Sequence, residues 1–129
     1  RKYFMFTTSK AFSSFSVDDL QKAKVFYQKI LGIHVTDNPM GVIELQLEGE
    51  NKIIVYPKPD HVPATFTVLN FPVKNIDQIV DELTGKGVRF EQYSGQIQTD
   101  KKGISRGNGG PAIAWFKDPA RNIFSVIEE

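Results

Sequence analysis

Apolar and polar positions alternate from Phe12 to Val17, and a period of two places successive side chains on opposite faces of a strand. The alternation stops at Asp18. Asp18 with Gln21 three residues on makes an Asp-x-x-Gln capping box, in which side chains satisfy backbone donors left free where a helix begins. The predicted helix carries Leu20, Ala23, Tyr27, Ile30 and Leu31 on one apolar stripe, and Gly32 ends it. The same grammar returns at Thr65. Phe71 and Val73 repeat Phe15 and Val17, Asn75 with Gln78 makes a second capping pair, and Ile76, Ile79, Val80 and Leu83 form a second stripe closed by Gly85 and Gly87.

Short strand-like runs trail each copy. After the first come Ile33 to Val35, then GVIELQL and KIIVYP, with turns expected at Asp37, Asn38 and Pro39 and at Glu48, Gly49, Glu50 and Asn51. In GVIELQL the side chains of Ile43, Leu45 and Leu47 take one face and those of Glu44 and Gln46 the other. After the second come Val88 to Tyr93, PAIAWF and NIFSVIEE, the last two reversing through Asp118, Pro119, Ala120, Arg121 and Asn122. The proline-bearing stretch Lys58 to Ala64 joins the halves. The pattern predicts one α+β domain of two tandem strand-helix-strand-strand-strand modules, about 11–57 and about 65–129. Between Ser94 and Gly110 the chain is glycine-rich and aperiodic, and it carries Lys101, Lys102 and Arg106; it reads as an insertion peculiar to the second module, either a functional loop or a mobile one.

Composition narrows the function. Sixteen Lys and Arg are interspersed with 15 Asp and Glu, for a net charge of +1, so the chain lacks the basic footprint of a nucleic-acid groove or an anionic membrane surface. It has no cysteine, which removes disulfides, thiol nucleophiles and cysteine metal sites together and fits a cytoplasmic setting. No apolar run approaches the roughly 20 residues of a membrane helix. The opening RKYFMFTTSK has only a short apolar stretch and no cleavage-like site of small residues, so it is not read as a secretory signal.

Three stretches, VDDLQKAKVFYQKILG, its weaker echo VKNIDQIVDELTGKGVRF, and AWFKDPARNIFSVIEE, together resemble the vicinal oxygen chelate superfamily of glyoxalase, bleomycin-resistance and extradiol-dioxygenase-like proteins. The resemblance implies that paired βαβββ modules curl their mixed sheet into an open barrel around a cavity, with helices outside, and that the protein pairs as a homodimer. In metal-using relatives His, Gln or Glu ligands come from inward positions on the first and last strand of each module. Carried onto this chain, those positions hold Phe12, Val68, Ser125 and Ile54 or a neighbour. A divalent ion wants nitrogen or anionic oxygen donors, which hydrocarbon and a neutral hydroxyl do not supply. The expectation is therefore a cavity without metal or other cofactor. His34 and His61 lie away from the expected inward positions and read as exposed or lightly packed.

With Phe15 and Val17 facing the helix, the opposite face presents Phe12, Ser14, Ser16, Glu44, Gln46, Ile54, Tyr56, Val68, Asn70, Ile123 and Ser125. Apolar walls with a few polar anchors are the makings of a small-molecule pocket. The candidate ligand-binding residues are Phe12, Ser14, Glu44, Gln46, Tyr56, Val68, Asn70 and Ser125, with Trp115 and Arg106 from beside and within the long loop. Glu44 is the candidate acid or base, since a carboxylate on a barrel wall is costly unless solvated or paired. Lys101, Lys102 and Arg106 would let the loop close over an anionic ligand. The expected function is binding, and so sequestering, a small organic molecule in a metal-free cavity. The alternatives are a metal-dependent lyase, isomerase or dioxygenase of the same superfamily, and a non-catalytic interaction domain whose barrel is filled by Phe12, Val68 and their neighbours. Whether any reaction is catalysed stays open.

Overall fold

The computed structural model describes residues 4–49, 51–107 and 109–129; Glu50 of the expected turn and Asn108 of the expected loop lie outside these. Strands β1 (Ser13–Val17), β2 (His34–Asn38), β3 (Val42–Gln46) and β4 (Ile53–Pro57) form one sheet in the order β1-β4-β3-β2. Strands β5 (Thr67–Val73), β6 (Ile104–Ser105), β7 (Ile113–Lys117) and β8 (Ile123–Glu128) form a second, in the order β5-β8-β7-β6. The first and last strand of each module pair in parallel and the rest antiparallel, because a helical crossover separates the former and tight reversals the latter. Helices α1 (Leu20–Val25) and α2 (Ile76–Gly85) each follow their module's first strand. The architecture is the expected α+β pair of βαβββ modules, with sheets left open rather than closed on each other.

The helix starts differ from expectation in detail. Asp19, not Asp18, caps α1, accepting from Lys22 N at 3.1 Å, while Asp18 accepts from Asp19 N at 2.9 Å. Asn75 does cap α2, accepting from Gln78 N at 3.2 Å. The Gln78 side chain then reaches forward to Glu82 at 3.3 Å rather than back to the cap, so the box is half formed; partners four apart on an exposed helix face compete for it. The first helix also does not stop at Val25. It continues as a π-helical segment, Phe26–Ile30, closed by Leu31 N to Phe26 O at 3.1 Å and Ile33 N to Tyr27 O at 2.9 Å. Wide turns of this kind are rare.

Two expected boundaries move. Asp37 and Asn38 belong to β2, and the chain reverses at Pro39, Met40 and Gly41, where Gly41 adopts φ 83° and its N–H reaches Asn38 O at 3.0 Å. Val88 to Tyr93 is not a strand. Glu91 N donates to Trp115 O at 2.8 Å, but Val88 and Phe90 are buried and the ladder beside β7 is made by β6. Alternation there records side-chain burial without strand pairing.

The two modules share one core. Phe15 and Val17 of β1, Ile43 and Leu45 of β3, Phe116 of β7, and Phe124 and Val126 of β8 are all buried toward the helices. Tyr27 sits where the modules meet, edge-on to Phe15 at 6.5 Å and stacked on Phe124 at 5.9 Å, and Phe26 lies 6.4 Å from Phe116. Each pairing of rings crosses 150–250 Å² side chains whose burial outweighs any single hydrogen bond. A polar latch completes the junction. Tyr27 Oη donates to Asp118 Oδ2 at 2.6 Å, Asn122 N donates to Asp118 Oδ1 at 2.8 Å, and Asn122 Nδ2 donates both to Asp118 Oδ2 at 3.1 Å and to Ser16 O at 2.9 Å. Burial pushes the Asp118 carboxyl above its usual range against the pull of these donors, and burial next to Asp118 pushes the Tyr27 phenol up as well.

Candidate functional site

The face of the sheets turned away from the helices is organised by strand register. Ser14 lies beside Ile54, and Ile54 beside Glu44, across β1, β4 and β3. In the second module Asn70 lies beside Ser125, and Ser125 beside Trp115, across β5, β8 and β7. These rows occupy equivalent places in the repeat. One carries a carboxylate at its far end and the other an indole.

Three clefts follow this face. The first, 370 Å³, is lined by Lys10, Phe12, Glu44, Gln46, Asn51 and Lys52. The second, 250 Å³, lies along the seam between β1 and β5 and is lined by Ser14, Ile53, Phe66 and Val68. The third, 610 Å³, is lined by Phe66, Thr67, Tyr93, Ile97, Trp115 and Ile123. They form a chain, since Phe66 belongs to the last two and the first two meet where Phe12 and Lys52 adjoin Ser13 and Ile53.

The first cleft is charged. Lys52 Nζ stands 5.0 Å from the centre of the Phe12 ring, a cation–π contact that leaves the phenyl group 55% exposed. Glu44 Oε2 accepts from Asn38 Nδ2 at 2.9 Å, and Gln46 Nε2 donates to Thr36 Oγ1 at 3.0 Å. The third cleft is aromatic. Trp115 donates Nε1–H to Thr67 Oγ1 at 3.1 Å and meets Tyr93 edge-on at 5.5 Å, while Phe66 is 68% exposed beside them. Burial, and then the charge of Glu91, pushes the Tyr93 phenol above its usual range.

The sequence candidates are thus distributed. Phe12, Glu44 and Gln46 come together in the first cleft, Ser14 and Val68 in the seam, and Trp115 in the third. Val68 sits at an irregularity in the β5 register, between Thr67 and Leu69. Ser125 is buried and donates to Asn70 Oδ1 at 2.5 Å; Tyr56 pairs in register with Ser16; neither pair lines a cleft described above. Arg106 is drawn onto α2, 2.8 Å from Asp77 Oδ2, beside Lys102, which reaches Asp77 at 3.4 Å and Asp81 at 3.0 Å. Hydrogen bonding to Arg106 and Lys102 holds the Asp77 carboxyl below the usual range. The loop itself is tightly built: Asp100 Oδ1 accepts from Lys102 N and Ile104 N, each at 2.9 Å, and Gly103 packs at φ 94° against Phe90.

Lys10 and Phe66 escaped the sequence reading. Each stands two residues ahead of the pair Phe12 and Val68, so extending the internal repeat backward from the strands would have marked both. His61 is half-buried rather than loose: its Nδ1 lies 2.6 Å from Ser16 Oγ and its Nε2 3.0 Å from the Ala120 carbonyl. A carbonyl only accepts, so Nε2 donates to Ala120 O, and in the neutral ring Nδ1 accepts from the Ser16 hydroxyl. Ser16 is therefore part of a tie between β1, the linker and the last reversal. His34 is exposed at the start of β2.

The four positions where the family resemblance implies metal ligands do not fit a divalent ion. Phe12, Ile54 and Val68 offer no donor atoms, and the Ser125 hydroxyl is committed to Asn70. Among the described residues no three His, Cys, Asp or Glu side chains are grouped so as to hold a metal. No helix among them is long and apolar enough to cross a membrane.

The model of the Glyoxalase/Bleomycin resistance protein/Dioxygenase superfamily matches residues 11–126. No curated protein is significantly similar in sequence. Among solved structures, a glyoxalase family protein from Bacillus anthracis superposes with a TM-score of 0.74 at 17% identity, over 100% of this chain and 98% of its own. The fosfomycin resistance protein FosX from Listeria monocytogenes gives 0.69 at 16% identity, over 92% and 91%. An antibiotic binding protein from a Streptomyces species gives 0.65 at 19% identity, over 89% and 92%. At these identities the likeness is one of fold.

Proposed function

Because the chain belongs to the glyoxalase/bleomycin resistance protein/dioxygenase superfamily, we propose that it binds a small organic molecule directly on the open face of its sheets and sequesters it there without a metal ion. The observation that carries this reading is the division of that face into a charged cleft around Glu44 and Lys52 and an aromatic cleft around Trp115 and Phe66, joined at the seam. Aromatic walls supply apolar area for a flat body, and the amide and carboxylate groups orient its polar end. Glu44 acts as an acceptor for a ligand N–H or O–H through the oxygen that Asn38 leaves free.

A second copy of the chain closes the face, and the protein works as a cytoplasmic homodimer. Support for the pairing comes from Phe12, Phe66 and Ile97, which expose large apolar side chains along the three clefts.

The test is a thermal-shift screen over aromatic metabolites and antibiotics, bleomycin and fosfomycin included, run with and without a chelator. Hits that survive the chelator and vanish in Glu44→Ala or Trp115→Ala support the reading. A screen in which no compound raises the melting temperature, or in which every hit needs added metal, contradicts it.

A further inference from the structure

Between the end of the first helix and α2 lies a cleft of 550 Å³ that meets the first cleft of the open face only at Gln46 and Leu47. Its floor is apolar and deep: Phe116 and Val126 of the second sheet and Leu83 of α2 are buried there. Around the floor stand Ile30, Leu31, Leu47, Phe71, Val73 and Ile79, all only half-buried. Side chains of this kind normally meet one another across a helix pair, and here a gap stands between them. Ile30 and Leu31, at the π-helical end of the first helix, stand at the mouth of this gap.

The rim is charged. Glu48, Glu82 and Lys86 edge the mouth, all three exposed, and among the described residues none of them forms an ion pair; Glu82 only accepts from Gln78. His34 also lines the mouth; with histidine counted as neutral, two carboxylates against one ammonium leave the mouth net negative. A volume in the range of small-molecule sites, an apolar floor and a negative lip together select a ligand with a hydrocarbon or aryl body and a cationic amine head.

We infer that the cleft between the π-helical end of the first helix and α2 is a second ligand site, for an amphipathic amine whose apolar body rests on Phe116, Val126 and Leu83 and whose ammonium group meets Glu48 and Glu82. It borders the open face only at Gln46 and Leu47, and it stands whether or not that face binds anything. The strands that floor it, β5, β7 and β8, present Asn70, Trp115 and Ser125 on their other side, so the two sites share a sheet.

Amide NMR of the intact chain titrated with phenylbutylamine tests the site, with phenylbutyrate as the charge-reversed control. Saturable shifts at Leu31, Gly32, Phe71 and Leu83 are expected, with weaker binding of the carboxylate. Ile79→Trp fills the gap and is expected to weaken the amine by about tenfold or more, and Glu48→Gln with Glu82→Gln by about fivefold. The double glutamate variant lies on exposed side chains, so it reads the site even where the tryptophan variant folds poorly. Shifts confined to the Trp115 face, equal or tighter binding of phenylbutyrate, or a loss of dimer mass in Ile79→Trp, which would mean that a second copy covers the cleft, would each overturn the inference.

Discussion

The two modules run the same order of elements and spend their residues differently. Module one breaks its helix with a π-helical end and joins β3 to β4 by a short turn; module two keeps a regular ten-residue helix and inserts a long loop before a two-residue β6. In equivalent rows of the open face, module one places Glu44 and module two Trp115. The difference teaches that a duplicated fold divides labour without altering topology. One half carries charge and the other an aromatic wall, while the shared core is apolar except for the buried latch of Tyr27, Asp118 and Asn122.

The interlock between modules is the first thing to break. Asp118→Ala leaves the buried Tyr27 hydroxyl and Asn122 side chain without their acceptor and should cost about 3 kcal/mol in urea unfolding. The same residue sets a pH dependence. Its native pKa lies above the unfolded value, so its contribution is whole below the ordinary aspartate pKa of about 3.9 and is lost as pH rises through the raised native value. Melting temperature followed against pH should fall less steeply over that window in Asp118→Asn than in the parent chain.

The loop of module two gives the next largest effect. A Cβ on Gly103 would lie 2.7 Å from Phe90 Cβ at a φ of 94°, whereas one on Gly49, in the β3–β4 turn of module one, meets nothing within 4 Å. Gly103→Ala should therefore destabilise by roughly 2–3 kcal/mol and Gly49→Ala by less than about 0.5 kcal/mol. Equal effects at the two sites would show that the inserted loop is not packed as described.

A smaller effect, of opposite sign, belongs to the last reversal. Arg121 holds φ 72°, a left-handed conformation that costs an ordinary residue about 1 kcal/mol and glycine nothing. Arg121→Gly should raise stability by up to about 1 kcal/mol in the same unfolding assay.

Much of the fold was legible because its signals are local and periodic. The Phe15 and Val17 pattern, its repeat at Phe71 and Val73, the Asn75 cap and the alternation of GVIELQL each depend on a few neighbouring residues. What stayed hidden depends on distant ones. Nothing near Asp18 says that Asp19 will be the cap, and nothing in the alternation of Val88 to Tyr93 says that Ile104 and Ser105 will take the neighbouring ladder. The π-helical end reads in sequence as ordinary helix. Of the candidate site, Glu44, Gln46 and Phe12 could be grouped from strand parity alone, but Phe66 joins Trp115 only through the pairing of β5 with β8 and β8 with β7. Arg106 looked available for a ligand because the carboxylates that hold it, Asp77 above all, lie far away in the chain.

Direct recognition on the open face is best tested by isothermal titration of a screening hit against metal-stripped protein, with the same hit then titrated against Glu44→Ala. The account predicts unchanged affinity after stripping and a loss of about tenfold in the variant. Affinity that disappears with the metal and returns when a divalent ion is restored would contradict it.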